Sequence, residues 1–163
     1  MLVIPPTTTV AKLQRALDAE RIPNVVGGSG LLASLGLADT VRDWDLVTDA
    51  DPSAVWSVIA ALGLPVRRTG PSGVFRTAML YTVDAGDHEV DVLVRFALQS
   101  GEQCVPIPAR AGGLWQGLQM ARPEEWVVAY ELMGRHEHAD ILRRWLDNNV
   151  GKGDGRDRTR GDL

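Results

Sequence analysis

Apolar and polar positions in the first part of the chain alternate between helical and strand-like spacing. From Val10 to Ile22, apolar residues recur at the three- and four-residue intervals of an amphipathic helix, which we expect to end before Pro23. The short apolar runs Val25-Val26 and Leu46-Val47 predict two strands, at 24–26 and 43–48. Between them, residues from about 29 to 35 predict a brief helix.

The rest of the pattern predicts a further helix, a hairpin and two final helices. Asp51-Pro52 has the acidic residue and proline that are typical of a helix start. Two strand candidates, 74–83 and 88–94, flank the turn residues 85–87 and predict a hairpin. Because 99–113 is rich in glycine and proline, we expect it to be mostly loop. The final helices are predicted at 123–134 and 136–147.

This order of elements predicts an α/β (α+β) fold, with a small mixed β-sheet and helices packed on it. The chain has 163 residues, of which 45% are apolar, enough for one hydrophobic core. We therefore expect a single domain over 1–150, with its core at about 24–95 and C-terminal helices at about 123–148. Residues 151–163 are mostly Gly, Lys, Arg and Asp, and we expect them to form a disordered tail.

Charge and composition limit the classes of protein to which this chain can belong. The formal net charge of −4 argues against a general coat protein for long nucleic acid. No apolar run approaches the roughly 18 residues of a membrane span, so we expect no membrane partner. The single cysteine, Cys104, cannot pair within the chain, and we expect it to be buried or half-buried. With no basic leader at the N-terminus, these features predict a cytoplasmic protein.

Two short motifs contain the groups that could bind phosphate or a metal ion. Gly27-Gly28-Ser29 lies between an apolar run and a predicted helix, where backbone N–H groups can hold phosphate. Asp43 and Asp45 are two apart in a predicted strand, so their side chains should point to the same side. Two such carboxylates repel unless a cation lies between them, and magnesium prefers oxygen ligands. The combination favours phosphoryl or nucleotidyl chemistry.

Asp91 is the third carboxylate of interest. It lies among valines in the predicted strand 88–94, where a lone carboxylate is costly unless something binds it. If this strand lies beside the 43–48 strand, three carboxylates converge, and they could hold a pair of metal ions and take a proton from an attacking hydroxyl. The alternative is that each of the three carboxylates lies in water at a strand end or on an exposed face.

The order Gly-Gly-Ser, short helix, Asp-x-Asp and later strand Asp resembles the nucleotidyltransferases of the DNA polymerase beta superfamily. The similarity to small bacterial members covers roughly residues 24–95, and a weaker similarity continues at 126–135. The resemblance implies a nucleotidyltransferase-like fold and a site with two Mg²⁺ ions. In that site Gly27, Gly28 and Ser29 would bind the nucleotide phosphates, Asp43, Asp45 and Asp91 would be the catalytic residues and metal ligands, and Asp91 would also act as base.

The reaction implied by the resemblance is attack by an acceptor hydroxyl on the α-phosphorus of a nucleoside triphosphate, with release of pyrophosphate. Since neither a large helical RNA-binding region nor a basic stretch follows the core, we expect a small-molecule or protein acceptor. The oligomeric state, including homo- or hetero-oligomers, stays open. Arginine side chains suit phosphate oxygens, so four arginines are candidates for the triphosphate: Arg67, Arg68, Arg76 and Arg95.

Two alternatives remain open on the sequence. The chain could be a catalytically silent module of a paired bacterial system, which binds a protein partner through exposed aromatic residues in its C-terminal third. A weaker alternative is a dinucleotide-binding Rossmann-like domain, because Gly28-x-Gly30-x-x-Ala33 followed by Asp49 matches that fingerprint. His136 and His138 are two apart on a predicted helix and so face apart, which predicts a solvated helix start rather than a zinc site.

Overall fold

The computed structural model describes the backbone of residues 1–161 and the side chains of residues 1–149. The helices in this part of the chain are α1 (Thr8–Ala19), α2 (Gly28–Ser34), α3 (Pro52–Ala61), α4 (Pro123–Leu132) and α5 (His136–Gly161). The strands are β1 (Val25–Gly27), β2 (Trp44–Thr48), β3 (Val66–Thr69), β4 (Met79–Asp84), β5 (Glu89–Val94), β6 (Ala97–Ser100), β7 (Gln103–Pro106), β8 (Ala111–Trp115) and β9 (Leu118–Ala121).

Seven of these strands form a mixed sheet in the order β3-β4-β5-β2-β1-β9-β8, and β6 pairs with β7 separately. Strand β2 is parallel to β5, and β1 is parallel to β9. A mixed sheet with packed helices confirms the predicted α+β class. Strands β1 and β2 are antiparallel, so α2 does not connect two parallel strands. The Rossmann-like alternative is therefore wrong, because its fingerprint requires a parallel strand–helix–strand unit.

One face of the sheet is packed against helices. Along β5, Val90, Val92 and Val94 are buried, whereas the residues between them are only half-buried. Tyr81 is the register partner of Val92, and its hydroxyl donates to the carbonyl of Pro52 at 3.0 Å, which ties α3 to this face. Since successive strand residues point to opposite faces, the residues between the valines face the other side of the sheet.

The predicted β4–β5 hairpin is confirmed, although β4 starts only at Met79. The predicted loop at 99–113 is wrong, because this segment contains parts of β6, all of β7 and most of β8. Proline and glycine are tolerated here because β7 belongs to a two-stranded ribbon and β8 is an edge strand. Gly112 lies at a register shift, where a Cβ would be 2.6 Å from the carbonyl oxygen of Ala121.

Three further predictions concern surface and chain ends. Cys104 is exposed on β7, so the prediction that it is buried or half-buried is wrong. Among the residues that the structure describes, no helix is both long and apolar enough to cross a membrane. The backbone of residues 151–161, within the predicted disordered tail 151–163, belongs to α5, and the side chains of the tail lie outside the described residues. The division into a domain of 1–150 and a tail stays a prediction.

Candidate active site

Asp45 and Asp91 lie directly opposite each other on the neighbouring parallel strands β2 and β5. Both are half-buried and project from the face of the sheet that the buried valines leave free. Asp43 lies one residue before β2, not inside the strand as predicted, and it is exposed. Its Oδ1 accepts a hydrogen bond from the backbone N–H of Glu89 at 2.8 Å. Two of the three predicted carboxylates thus lie side by side on paired strands, and the third lies just before β2.

Burial raises the pKa of both Asp45 and Asp91, and neighbouring carboxylates add to each rise. Burial raises the pKa of Asp45 to about 7, and the charges of Asp91 and Asp43 act in the same direction. The Arg135 guanidinium opposes this rise. Burial also raises the pKa of Asp91, although the hydroxyl of Thr82, which donates to Asp91 Oδ1 at 2.8 Å, holds that rise back. The site therefore carries an excess of negative charge that a bound cation would relieve.

The glycine turn lies against this carboxylate pair. Gly28 has φ +59°, and a Cβ on it would be 2.1 Å from Asp45 Oδ2. A Cβ on Gly27 would be 2.1 Å from the ring of Trp126, which α4 brings against the turn. Both positions therefore need glycine for close approach, and Gly28 also needs it for its backbone conformation. Ser29 follows as the first half-buried residue of α2.

A cleft of about 330 Å³ opens above the carboxylate pair. Gly28 and Ser29 line it beside Asp45 and Asp91, so the structure brings together four of the six predicted site residues here. Other lining residues are Thr69, Gly70, Ser72, Phe75 and Thr77 from one segment, and Trp126, Tyr130, Met133, Arg135 and His138 from α4, α5 and the turn between them. Two aspartates, the glycine turn and an arginine thus line one cleft.

Sequence reasoning missed three polar residues at this site: Thr82, Arg135 and His138. Thr82 is the register partner of Asp91 across the β4–β5 hairpin. The turn predicted at 85–87 would have shifted this register by one residue, so the predicted hairpin alone does not find Thr82. The prediction of a solvated helix start is wrong for His138, which is half-buried and stacks on Tyr130 with ring centroids 5.1 Å apart. The same prediction is correct for His136, which is exposed and pairs with Glu131 at 3.0 Å.

The four arginines predicted as triphosphate contacts have other partners and are not among the described residues that line the cleft. Arg67 pairs with Glu89 at 2.8 Å, and the guanidinium of Arg68 lies 4.7 Å from the ring centroid of Trp56. The side chain of Arg76 donates to the carbonyl of Gly73 and that of Arg95 to the carbonyl of Asp49. Arg135 lines the cleft instead.

The donor chemistry of the site fits magnesium, which prefers carboxylate oxygens. Asp45 and Asp91 supply such oxygens from one face of the sheet. As the side chains stand, however, no group of three His, Cys, Asp or Glu residues in the described part of the chain is close enough to hold one ion. The carboxylate of Asp43 is instead engaged by the Glu89 N–H. Magnesium binding stays a prediction.

Comparison with known proteins adds information on the fold. No protein-family model and no curated protein sequence matches the chain. Among solved structures, it is similar to the solution structure of the antibiotic-resistance factor ANT(2'')-Ia, with a TM-score of 0.57 and 14% identity over 96% of this chain and 97% of that one. A crystal structure of ANT(2'')-Ia in complex with adenylyl-2''-tobramycin gives a TM-score of 0.55 and 16% identity over 94% and 97%.

A third similar structure is a proposed nucleotidyltransferase from Thermotoga maritima, with a TM-score of 0.60 and 20% identity over 86% of this chain and 92% of that one. These similarities extend over nearly the whole of each chain. The protein therefore has the nucleotidyltransferase-like fold that its glycine and aspartate motifs predicted.

Proposed function

We propose that this protein is a magnesium-dependent nucleotidyltransferase, which moves a nucleoside monophosphate from a nucleoside triphosphate to an acceptor hydroxyl. The observation that carries the proposal is the pairing of Asp45 with Asp91 at the floor of a cleft, directly against the Gly28–Ser29 turn. The nucleotidyltransferase-like fold supports it, because this arrangement matches the motifs on which the resemblance rests.

In this proposal the two sides of the site have different tasks. The backbone N–H groups of Gly27, Gly28 and Ser29 bind the phosphates, since such groups at a glycine turn favour anions. The carboxylates of Asp43, Asp45 and Asp91 hold two Mg²⁺ ions. When bound, magnesium supplies positive charge against the charge that develops on the transferring phosphoryl group. Asp43 would have to leave the Glu89 N–H, which it engages at 2.8 Å, to join the other two carboxylates.

Asp91 is the proposed proton acceptor. Burial raises its pKa above the ordinary value, which makes its carboxylate a stronger base towards a hydroxyl. As Asp91 takes the proton, the acceptor oxygen forms a bond to the α-phosphorus. The bond between the α-phosphorus and the bridging oxygen breaks, and pyrophosphate leaves with that electron pair. Thr82 orients the base through its hydrogen bond to Asp91 Oδ1.

The acceptor is proposed to be a small molecule or one side chain of a protein. A cleft of about 330 Å³ has room for a compact group, in the range of small-ligand pockets. One structure of ANT(2'')-Ia holds adenylyl-2''-tobramycin, an adenylylated small molecule, which supports an acceptor of similar size here.

A catalytically silent module is the second candidate. One observation favours it: the carboxylate of Asp43 is hydrogen-bonded to the backbone at Glu89 rather than grouped with Asp45 and Asp91. Another observation argues against the exposed aromatic surface that was predicted as the partner site of such a module. Trp126 is only 4% exposed and packs between Phe96 and Tyr130.

A thermal-shift scan separates the two candidates. The protein is heated with each of the four nucleoside triphosphates, with and without Mg²⁺. An enzyme should show a metal-dependent rise in Tm with at least one nucleotide, because a ligand that binds only the folded state stabilises it. The Asp45→Ala variant should lose this rise. The absence of a shift with all four nucleotides would support the silent module.

Nucleotidyl transfer itself is measured as the release of pyrophosphate from the nucleotide that gives the thermal shift. Asp45→Ala and Asp91→Ala should abolish release, while Asp147→Ala, an exposed carboxylate on α5, should leave it unchanged. Release that persists in both site variants would contradict the assignment of these carboxylates.

A further inference from the structure

Arg135 occupies a distinctive position in the cleft. It lies in the turn between α4 and α5 and lines the same space as Ser29, Asp45 and Asp91. Among the described residues that line this cleft, Arg135 is the only arginine. Its positive charge opposes the rise in the pKa of both Asp45 and Tyr130, which also line the cleft.

The guanidinium of Arg135 is available for a ligand. Among the described side chains, Arg135 takes part in none of the ion pairs. Two acidic residues lie near Arg135 in sequence, and Glu137 forms no ion pair with it among the described side chains. The carboxylate of the other, Glu131, is already held by Arg143 at 2.8 Å and by His136 at 3.0 Å. These two partners lower the pKa of Glu131, which keeps it charged and engaged away from Arg135.

The backbone on both sides of Arg135 is fixed. Its N–H donates to the carbonyl of Tyr130 at 2.8 Å, and its carbonyl accepts from the N–H of Ala139 at 3.2 Å. Gly134, with φ +79°, makes the preceding turn and donates to the carbonyl of Glu131 at 3.1 Å. The side chain therefore starts from a defined point on the α4–α5 turn, on the wall of the cleft.

We propose that Arg135 binds the β- and γ-phosphates of the nucleoside triphosphate, the part that leaves as pyrophosphate. This inference rests on the proposed function. The planar guanidinium can donate two parallel hydrogen bonds to phosphate oxygens. With the Gly28–Ser29 turn and Arg135 lining one cleft, the triphosphate lies between backbone N–H groups and a guanidinium. Arg135 then also stabilises the negative charge that develops on pyrophosphate as it leaves.

The test measures dissociation constants of ATP, inorganic pyrophosphate and AMP by calorimetry in the presence of Mg²⁺. If another nucleotide gives the thermal shift, it replaces ATP, and its monophosphate replaces AMP. Arg135→Ala should weaken the binding of ATP and of pyrophosphate by about tenfold or more, since it removes a charge-assisted contact. AMP, which lacks the β- and γ-phosphates, should bind within about twofold of the parent protein. Arg135→Lys should bind ATP with intermediate affinity, because it keeps the charge without the planar fork.

Arg144→Ala is the matched control, because Arg144 is an exposed arginine of α5 that is not among the described cleft residues. It should bind all three ligands like the parent. Unchanged pyrophosphate binding in Arg135→Ala would overturn the inference while the proposed function stands. An equal loss of AMP and pyrophosphate binding would also overturn it, since it would indicate a structural role. If the parent protein binds no nucleoside triphosphate, the proposed function fails and the inference fails with it.

Discussion

Asp45 and Asp91 are register partners on the parallel strands β2 and β5, so two carboxylates project side by side from one face of the sheet. Side chains at such neighbouring positions are close enough for like charges to repel. The fold pays for this arrangement through the burial and repulsion that raise the pKa of Asp45 to about 7. The ionised pair therefore costs stability that a bound cation would offset, which leads to the first prediction.

Asp45→Asn should stabilise the ligand-free protein at high pH. The folded-state pKa of Asp45 is about 7 against an ordinary value of 3.8, so the folded state binds more protons between these values. Stability therefore falls as the pH rises from about 4 to about 7, and above that range the ionised carboxylate carries its full cost. We expect the free energy of unfolding of Asp45→Asn to exceed that of the parent by about 2 kcal/mol at pH 8, with no difference near pH 3.

Urea unfolding at the two pH values measures this effect. Asp147→Asn, which changes an exposed carboxylate on α5, is the control and should show no such dependence on pH. The same Asp45→Asn protein should lose the Mg²⁺-dependent rise in Tm. A variant that is less stable than the parent at pH 8 would contradict the electrostatic account of the pair.

Gly28→Ala should separate binding from stability. A Cβ at this position meets Asp45 Oδ2 at 2.1 Å, and the residue has φ +59°. Because a carboxylate can rotate, we expect the clash to displace Asp45 rather than to unfold the protein. The loss of stability should be about 1 kcal/mol, the cost of the backbone conformation alone, while nucleotide binding should be lost.

Gly36→Ala is a suitable control, because Gly36 also has a positive φ, +75°, but no atom lies within 4 Å of its Cβ position. It should show the same loss of stability in urea unfolding and keep nucleotide binding. If both variants bind nucleotide equally well, the contact between Gly28 and Asp45 has no functional role.

Thr82→Val should raise the pKa of Asp91 without changing the shape of the site. The variant removes the hydroxyl that donates to Asp91 Oδ1 at 2.8 Å and that lowers the pKa of Asp91. The pKa of Asp91 should therefore rise further, and the acid limb of the rate profile should move to higher pH. Carboxyl NMR titration measures the first effect, and Thr82→Ser should restore the parent values. An unchanged Asp91 titration in Thr82→Val would show that this hydrogen bond has no influence.

Gly27→Ala should destabilise the protein through Trp126. The added Cβ would be 2.1 Å from the indole ring, and Trp126 is 4% exposed and packed between other rings. We expect a loss of about 1–3 kcal/mol, as for overpacking in a core. In a Trp126→Leu background the same change should cost at least about 1 kcal/mol less, because the two positions are in contact. Additive losses in a denaturation double-mutant cycle would mean that the ring and the turn are not coupled.

Local patterns predicted the parts of the site that lie within one element. The Gly27-Gly28-Ser29 turn and the Asp43–Asp45 pair are short motifs, and the valine alternation around Asp91 placed that residue in a strand. The pairing of β2 with β5 was a hypothesis that the structure confirms. In contrast, Arg135 and His138 reach the cleft only because α4 and α5 pack against each other, and helix packing leaves no local signal in the sequence.

The strands at 97–115 were missed for a different reason. Glycine and proline predict turns on average, but an edge strand and a two-stranded ribbon tolerate both. The β8–β9 hairpin turns at Gln116 and Gly117, which both have positive φ, and glutamine is not typical at such a position. Tertiary context therefore overrode local propensity in this part of the chain.

The position of β1 between β2 and β9 has a consequence for biosynthesis. On the ribosome, the glycine turn that follows β1 emerges long before β9 and Trp126, which support it from the other side. A nascent chain that has already made both aspartate strands still lacks one wall of its pocket. In the proposed function, nucleotide binding should therefore begin only after β9 and Trp126 have left the ribosome, and it would report on this step of folding in a translation-arrest experiment.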